Sequence, residues 1–480
     1  MTPTDLSYLS AADLAALIAA RKVSPVEIMD ALLPRIAASQ PVLNAFITVT
    51  ADAARAEAKA AEAAVMRGDR LGPLHGVPFS VKDLVNTAGV RTTFASHILE
   101  NNVPAADAPS VARMKASGAI LVGKTTTPEF GHKPLNEAPI FGRTANPWDL
   151  RRTCGGSSGG SGAAVAAGLG PLSIGTDAGG SIRIPAACTG TVGMKATLGL
   201  VPNESAADGF ANFSNVGPQS RTVLDSAFML NAMAGPDPRD PHSIGLPAVD
   251  FVAAACDRRD LRGLRIAYIR RMGNEVIDTE VERLVDAAAA SLAGMGATVE
   301  PFAPEFTNTE PHWLVISQSL WVARFGKYLP NWENRMTPTL VRGIKEGMEY
   351  TAARLQEAAV FRTNLFRQVQ SWFERFDLLV MPTISRTAIP IDHDFYAPVE
   401  INGQKVGKLR QHWYPYTHPF NMTGHPAISL PCGFHSDGLP VGLQIVARPA
   451  EDALAIRAAA RYEAAHDWMA RRPNLPQLDG

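Results

Sequence analysis

The apolar positions change period twice in the first quarter of the chain. In residues 11–22, Leu14, Leu17 and Ile18 recur at the spacing of one helix face, directly after Ser10, a residue type that caps helix N-termini. Ser24-Pro25-Val26-Glu27 adds a proline at a first helical position and a capping-box glutamate, predicting a second helix through Ile36. An alanine-rich third helix is predicted over residues 52–66. From Leu74 the period falls to two. Val77, Phe79 and Val81 alternate with Pro78, Ser80 and Lys82, which predicts a strand with Lys82 on the face opposite Phe79 and Val81. Taken alone, that pattern makes Lys82 a solvated charge, since lysine is seldom buried.

Further on, helices are predicted near residues 110–117, 222–233 and 279–295, and short strands at 119–124, 172–177, 263–270, 297–302 and 378–381. The glycines, asparagines and Pro218 between Lys195 and Arg221 read as loops, and residues 310–376 read as mostly helical. Strands alternating with helices predict an α/β protein with a mixed or largely parallel sheet covered on both faces. There is no internal repeat and no clear linker, so one large domain over residues 1–480 is expected, opened by a helical layer over residues 1–70.

Composition narrows the function classes. Hydrophobic residues make up 46% of the 480, enough for a sizeable core. A formal charge of −1 leaves no basic excess for nucleic acid or an anionic membrane surface. Cys154, Cys188, Cys256 and Cys432 are widely spaced with no C-x-x-C pair, which argues against a zinc site or disulfide framework. The first residues lack the basic and apolar regions of a signal peptide, and no apolar run approaches bilayer-spanning length. A cytoplasmic enzyme is expected.

The stretch RTCGGSSGGSGAAVAAGLGPLSIGTDAGGSIR, residues 152–183, carries the chemistry. Three glycine pairs sit beside Ser157, Ser158, Ser161 and Ser181, and a short apolar run at 163–169 reads as a buried helix between two glycine loops. A Gly/Ser linker would not enclose a helix and a strand. A phosphate cradle would need a lysine after the glycines or a G-x-G-x-x-G spacing, and neither is present. An oxyanion hole with serine chemistry fits the residue types best, because consecutive amides at a tight turn stabilise developing negative charge.

The block GGSSGGSGAAVAAGLGPLSIGTDAGGSIRIPAACTGTVGMK resembles the defining block of the amidase signature family, and LHGVPFSVKD resembles its upstream lysine block. The separations agree, with 75 residues from Lys82 to Ser157 and 24 from Ser157 to Ser181. The likeness continues through DLLVMPT and HPAISLPCGF…GLPVGLQIV and is weakest over residues 300–365 and 388–419. It implies a central mixed twisted sheet with helices on both faces, a catalytic core over residues 74–235 and a variable, pocket-shaping region over 300–420. It also implies amide hydrolysis through a seryl acyl-enzyme. Ser181 is then the nucleophile, Ser157 a bridging proton relay after a cis Gly156–Ser157 bond, and Lys82 the general base and acid. The backbone N–H groups of Ala178, Gly179, Gly180 and Ser181 would form the oxyanion hole.

For this chemistry Lys82 must be buried and free of any carboxylate partner, so that its amine is neutral. Asp177 and Arg183 are expected to brace the loop as a bidentate pair, and Ser158 and Ser161 to act as turn hydroxyls. His412, His418 and His425 lack metal-site spacing, and no metal or cofactor is expected. The expected partners are a small amide and water, with room for a homodimer.

Aromatic residues collect where the likeness fades. Trp313, Leu320, Trp321, Phe325 and Tyr328 fall at helical spacing, which serves a core stripe as well as a pocket wall. Cys154, Trp321, Tyr328, Trp413 and Tyr414 are expected to line an apolar pocket for aryl or alkyl amides, with esters and carbamates as further candidates. The rival readings are the glutaminase subunit of a tRNA-dependent amidotransferase and a catalytically silent binding protein on the same fold.

Overall fold

The computed structural model describes residues 2–478, and its backbone is organised by one sheet of eleven strands. In chain order these are Phe46–Val49 (β1), Pro78–Lys82 (β2), Ile120–Thr125 (β3), Leu172–Asp177 (β4), Val192–Lys195 (β5), Asn215–Ser220 (β6), Arg265–Tyr268 (β7), Thr298–Pro301 (β8), Leu378–Pro382 (β9), Ala427–Phe434 (β10) and Pro440–Val446 (β11). Across the sheet they run β1-β3-β2-β4-β6-β5-β10-β11-β9-β7-β8. Pairing is parallel for β3-β2-β4 and for β9-β7-β8, and antiparallel elsewhere, so the sheet is mixed.

The N-terminal helices start where the capping residues place them. Ser10 accepts the Asp13 N–H at the head of Ala11–Ala19, and Ser24 and Glu27 close a capping box on Pro25–Leu43. That second helix runs seven residues beyond the expected Ile36, through Pro34 and Pro41. Its buried face, from Ile28 and Leu32 to Leu43, packs into the main core, where tertiary burial outweighs the weakened helical hydrogen bonding at the prolines.

Every residue of β2 is buried. The alternation that placed Lys82 on a solvated face misleads here, because the sheet is covered on both sides and neither face of β2 meets water. The helix expected to begin near residue 163 instead spans Gly159–Ala166, with the glycine pair inside its first turn. A Cβ at Gly160 would stand 2.5 Å from the Thr126 nitrogen and 2.7 Å from the Ala45 carbonyl oxygen. The pair therefore serves close approach of the helix to the sheet rather than an open loop. The helix packs over β2, β3, β4 and β6, and the next one, Arg183–Thr189, over β5, β10 and β11.

Strand β6 lies in a region expected to be loop. It is central to the sheet although it contains Gly217 and Pro218. Its ladder to β5 is made only at Gln219 and Ser220, beyond the proline, so the missing N–H of Pro218 interrupts nothing on that side. Among the described residues no helix is long and apolar enough to cross a membrane.

Candidate active site

Lys82 ends β2 with its side chain fully buried. Its Nζ lies 2.7 Å from Ser157 Oγ, 2.9 Å from Ser158 Oγ and 2.9 Å from Thr176 Oγ1. All three partners are uncharged hydroxyls. Burial drives the Lys82 pKa well below the ordinary lysine value, and the negative charge of Asp177 only partly offsets this. Asp83, the next residue, turns its carboxylate to the backbone N–H groups of Thr93 and Ala95, at 3.0 Å and 3.3 Å. It leaves the Lys82 amine without an ion pair.

The hydroxyls come from the glycine stretch. Ser157 follows a cis peptide bond from Gly156. Ser158 ties the loop to β4, donating to the Thr176 carbonyl at 3.1 Å and accepting the Thr176 N–H at 3.2 Å. It is thus more than a turn hydroxyl, since the same oxygen touches Lys82. Ser161 is directed elsewhere, to the Thr125 hydroxyl at 2.8 Å. Thr176, which the sequence reading passed over, completes the surroundings of the amine because β4 runs beside β2 in parallel register.

Ser181 lies just past the end of β4, partly exposed, and its carbonyl accepts the Ser158 N–H at 2.9 Å. The loop that carries it is held by a fully buried ion pair. Arg183 Nε and Nη2 each donate to Asp177 at 3.0 Å. Burial alone would raise the Asp177 pKa, but the guanidinium overcomes it and holds the carboxyl below its usual range. Two further bonds pin the loop carbonyls. Trp313 Nε1 donates to Ala178 O at 2.9 Å, and Thr417 Oγ1 donates to Gly179 O at 2.8 Å.

One of the four expected oxyanion donors is already engaged. The Gly180 N–H donates to Asp177 at 2.6 Å, so it belongs to the brace of the loop. Ala178, Gly179 and Ser181 remain as candidate donors.

Ser157, Ser181, Thr176 and Ala178 open onto a cavity of about 840 Å³. Its walls are largely aromatic, with Phe94, Phe130, Phe213, Trp313, Trp321 and Phe366 among them. Of the expected pocket residues, Trp321 lines this cavity and four do not. Cys154 is buried beneath the glycine stretch, its thiol pushed up to about 12 by burial. Trp413 and Tyr414 pack with Ile184, Ala187 and Leu409 in a separate core, and the Trp413 indole donates to the Arg386 carbonyl. Tyr328 packs beside Leu340 and Ile344. The aromatic-rich segment 388–419 therefore supports the helix Arg183–Thr189 rather than facing substrate. Phe94 and Phe130 escaped the sequence reading for a physical reason. Both sit at positive φ, 54° and 50°, a conformation in which glycine or asparagine is the expected signal.

A sheet of this order, with a lysine amine enclosed by serine hydroxyls at the head of a cavity, belongs to a known class of enzymes. The Amidase family model matches residues 27–456, and the chain belongs to that family. It is 37% identical over 479 residues to an acylamidase of Rhodococcus erythropolis, with 98% of each chain covered. It is also 37% identical to the glutamyl-tRNA(Gln) amidotransferase subunit of Roseiflexus sp. (strain RS-1), covering 98% of this chain and 99% of the other. The crystal structure of a bacterial aryl acylamidase superposes with a TM-score of 0.90 at 30% identity, covering 98% of both chains.

Proposed function

We propose that this amidase hydrolyses hydrophobic amides, aryl amides foremost, through an acyl-enzyme on Ser181. The observation that carries the reading is the Lys82 amine, fully buried, unpaired with any carboxylate and 2.7 Å from Ser157 Oγ. A neutral Lys82 takes the Ser157 proton as Ser157 takes that of Ser181, and the Ser181 oxygen attacks the amide carbonyl. The tetrahedral oxyanion is stabilised by backbone N–H groups of the loop, with Ala178, Gly179 and Ser181 as the donors. The proton returns through Ser157 to the leaving amine. Water then enters, and the same relay activates it to release the acid. Esters and carbamates of the same shape fall within this chemistry.

The aromatic walls and the volume, within the range that encloses drug-sized ligands, favour bulky apolar substrates. A second reading, as a glutaminase subunit, is favoured by the amidotransferase relatives. Assaying the purified chain alone against acetanilides, para-nitroanilides and glutamine separates the two. Turnover of aryl amides with glutamine inert is expected, together with a fluorophosphonate adduct located on Ser181. Glutamine turnover in preference to anilides would reverse the assignment, and absence of the adduct would leave a binding protein.

The walls give a further expected result. Trp321→Ala enlarges the cavity and changes the kcat/KM ratio between aryl and short aliphatic amides by about tenfold, a change of order 1.4 kcal/mol in barrier. Trp413→Ala leaves that ratio alone and lowers stability by about 3–5 kcal/mol, since it empties a buried indole site. Kinetic ratios and urea midpoints of the two variants test the contrast.

A further inference from the structure

The helix Glu310–Phe325 forms one wall of the cavity. Trp313, Ile316, Ser317, Leu320, Trp321 and Arg324 all line it, at spacings of one helix face. The first five are uncharged. Arg324 places a guanidinium at the end of this stripe, over the ring of Phe325 at 5.0 Å.

Arg324 has no hydrogen-bond or ion-pair partner among the described residues. The contrast with its neighbours is sharp. Arg362 also lines the cavity, but its N–H groups go to the carbonyls of Met422, Ala211 and Asn212 at 2.7, 2.7 and 2.8 Å. Arg410 pairs with Glu310 at 3.4 Å. Asp208, which lines the same cavity, accepts the N–H groups of Phe210 and Ala211. Burial lowers the Arg324 pKa, and no acidic side chain offsets it. A guanidinium offers five donors in a planar fork that matches a carboxylate, and a partly desolvated setting strengthens such a bond.

We propose that Arg324 is a specificity-determining residue that binds a carboxylate carried by the amide substrate, remote from the bond that is cut. Trp313 touches the Ala178 carbonyl in the loop that bears Ser181, and Arg324 stands eleven residues further on. That is about 16 Å along the helix axis. The acid group is therefore separated from the scissile carbonyl by a ring or a chain of several atoms. This deepens the amide-hydrolase reading above and rests on it.

Two matched substrate pairs test the proposal and show which side bears the acid. The mono-para-nitroanilide of adipic acid against hexanoic para-nitroanilide places the carboxylate on the acyl side. Para-acetamidophenylbutyrate against para-butylacetanilide places it on the amine side. In at least one pair the acidic member is expected to have a tenfold or greater advantage in kcat/KM. Arg324→Met is expected to reduce that acid-to-neutral ratio at least tenfold, mainly through KM, and Arg324→Lys to restore part of it. Affinity of the same acids for Ser181→Ala protein, read by calorimetry, is expected to fall at least tenfold when Arg324→Met is added. Equal ratios in wild type and Arg324→Met for both pairs, or equal affinities in the two Ser181→Ala proteins, would overturn it. If no amide of either charge is cleaved, the hydrolase reading fails, while the calorimetry still decides Arg324.

Discussion

Replacing Lys82 by Met lowers kcat/KM for an aryl amide by about a thousandfold or more, with the cavity and the fold retained, because the relay loses its proton acceptor. Methionine approximates the length of the lysine stem and needs no counter-charge. Two effects on stability oppose each other. Removing a desolvated amine is favourable, since the folded protein holds Lys82 well below its ordinary pKa and any charged form is penalised by burial. Against that, Ser157, Ser158 and Thr176 each lose a partner, at about 1 kcal/mol apiece. Ser158 and Thr176 keep their bonds to one another, so the loss is limited and the melting temperature stays close to that of the wild type.

The pH profile follows from the same amine. Activity requires the neutral form, so kcat/KM rises with pH through the Lys82 pKa and flattens above it. Because burial lowers that pKa, the limb lies well below the pH near 10.4 at which a free lysine titrates. A limb at the free-lysine position in the wild type, or a Lys82→Met protein within tenfold of wild-type activity, would remove Lys82 from the chemistry. Stopped assays across pH with a neutral anilide make the measurement.

The elements that sequence pattern disclosed are those with local causes. Ser10, Ser24 and Glu27 set helix starts through their own side chains, and Leu172–Asp177 reads as a strand from its own composition. What stayed hidden depends on partners distant in sequence. Strand β6 has one apolar residue of strong strand preference, Val216, among Asn215, Gly217 and Pro218, and is held by β4 across its full length. The burial of Lys82 is likewise tertiary, which is why its block and spacing marked it while its local pattern pointed to solvent. The cavity walls were the least legible part. Trp313 and Trp321 share a helical stripe with equal claim to core or pocket, and only the fold assigns them. The wealth of aromatics around Trp413 proved to be support for the helix behind Ser181.

That support makes Arg183 the residue whose loss the fold tolerates least. Its five N–H groups all have acceptors: two bonds to Asp177 at 3.0 Å, one to Thr417 O at 3.0 Å, one to Gln444 Oε1 at 2.8 Å and one to Asn421 Oδ1 at 2.6 Å. Both members of the ion pair are fully buried. Arg183→Met is therefore expected to cost at least about 3–5 kcal/mol, since it strands a buried carboxylate. Adding Asp177→Asn removes that charge, so the double variant is expected to recover part of the loss, which a double-mutant cycle in urea measures. Activity should not recover with it, because Asp177 also receives the N–H groups of Gly180 and Ile182 and so shapes the turn beneath Ser181. The pH dependence has a fixed sign. Asp177 is held below its ordinary pKa, so its contribution is fully present above about pH 4, the unfolded value, and is lost as pH falls toward the folded one. The stability gap between wild type and Asp177→Asn is accordingly flat through neutral pH and narrows only in acid. An Arg183→Met protein melting within about 1 kcal/mol of wild type would show that the pair is dispensable and that the Ser181 loop is held by Trp313 and Thr417 instead.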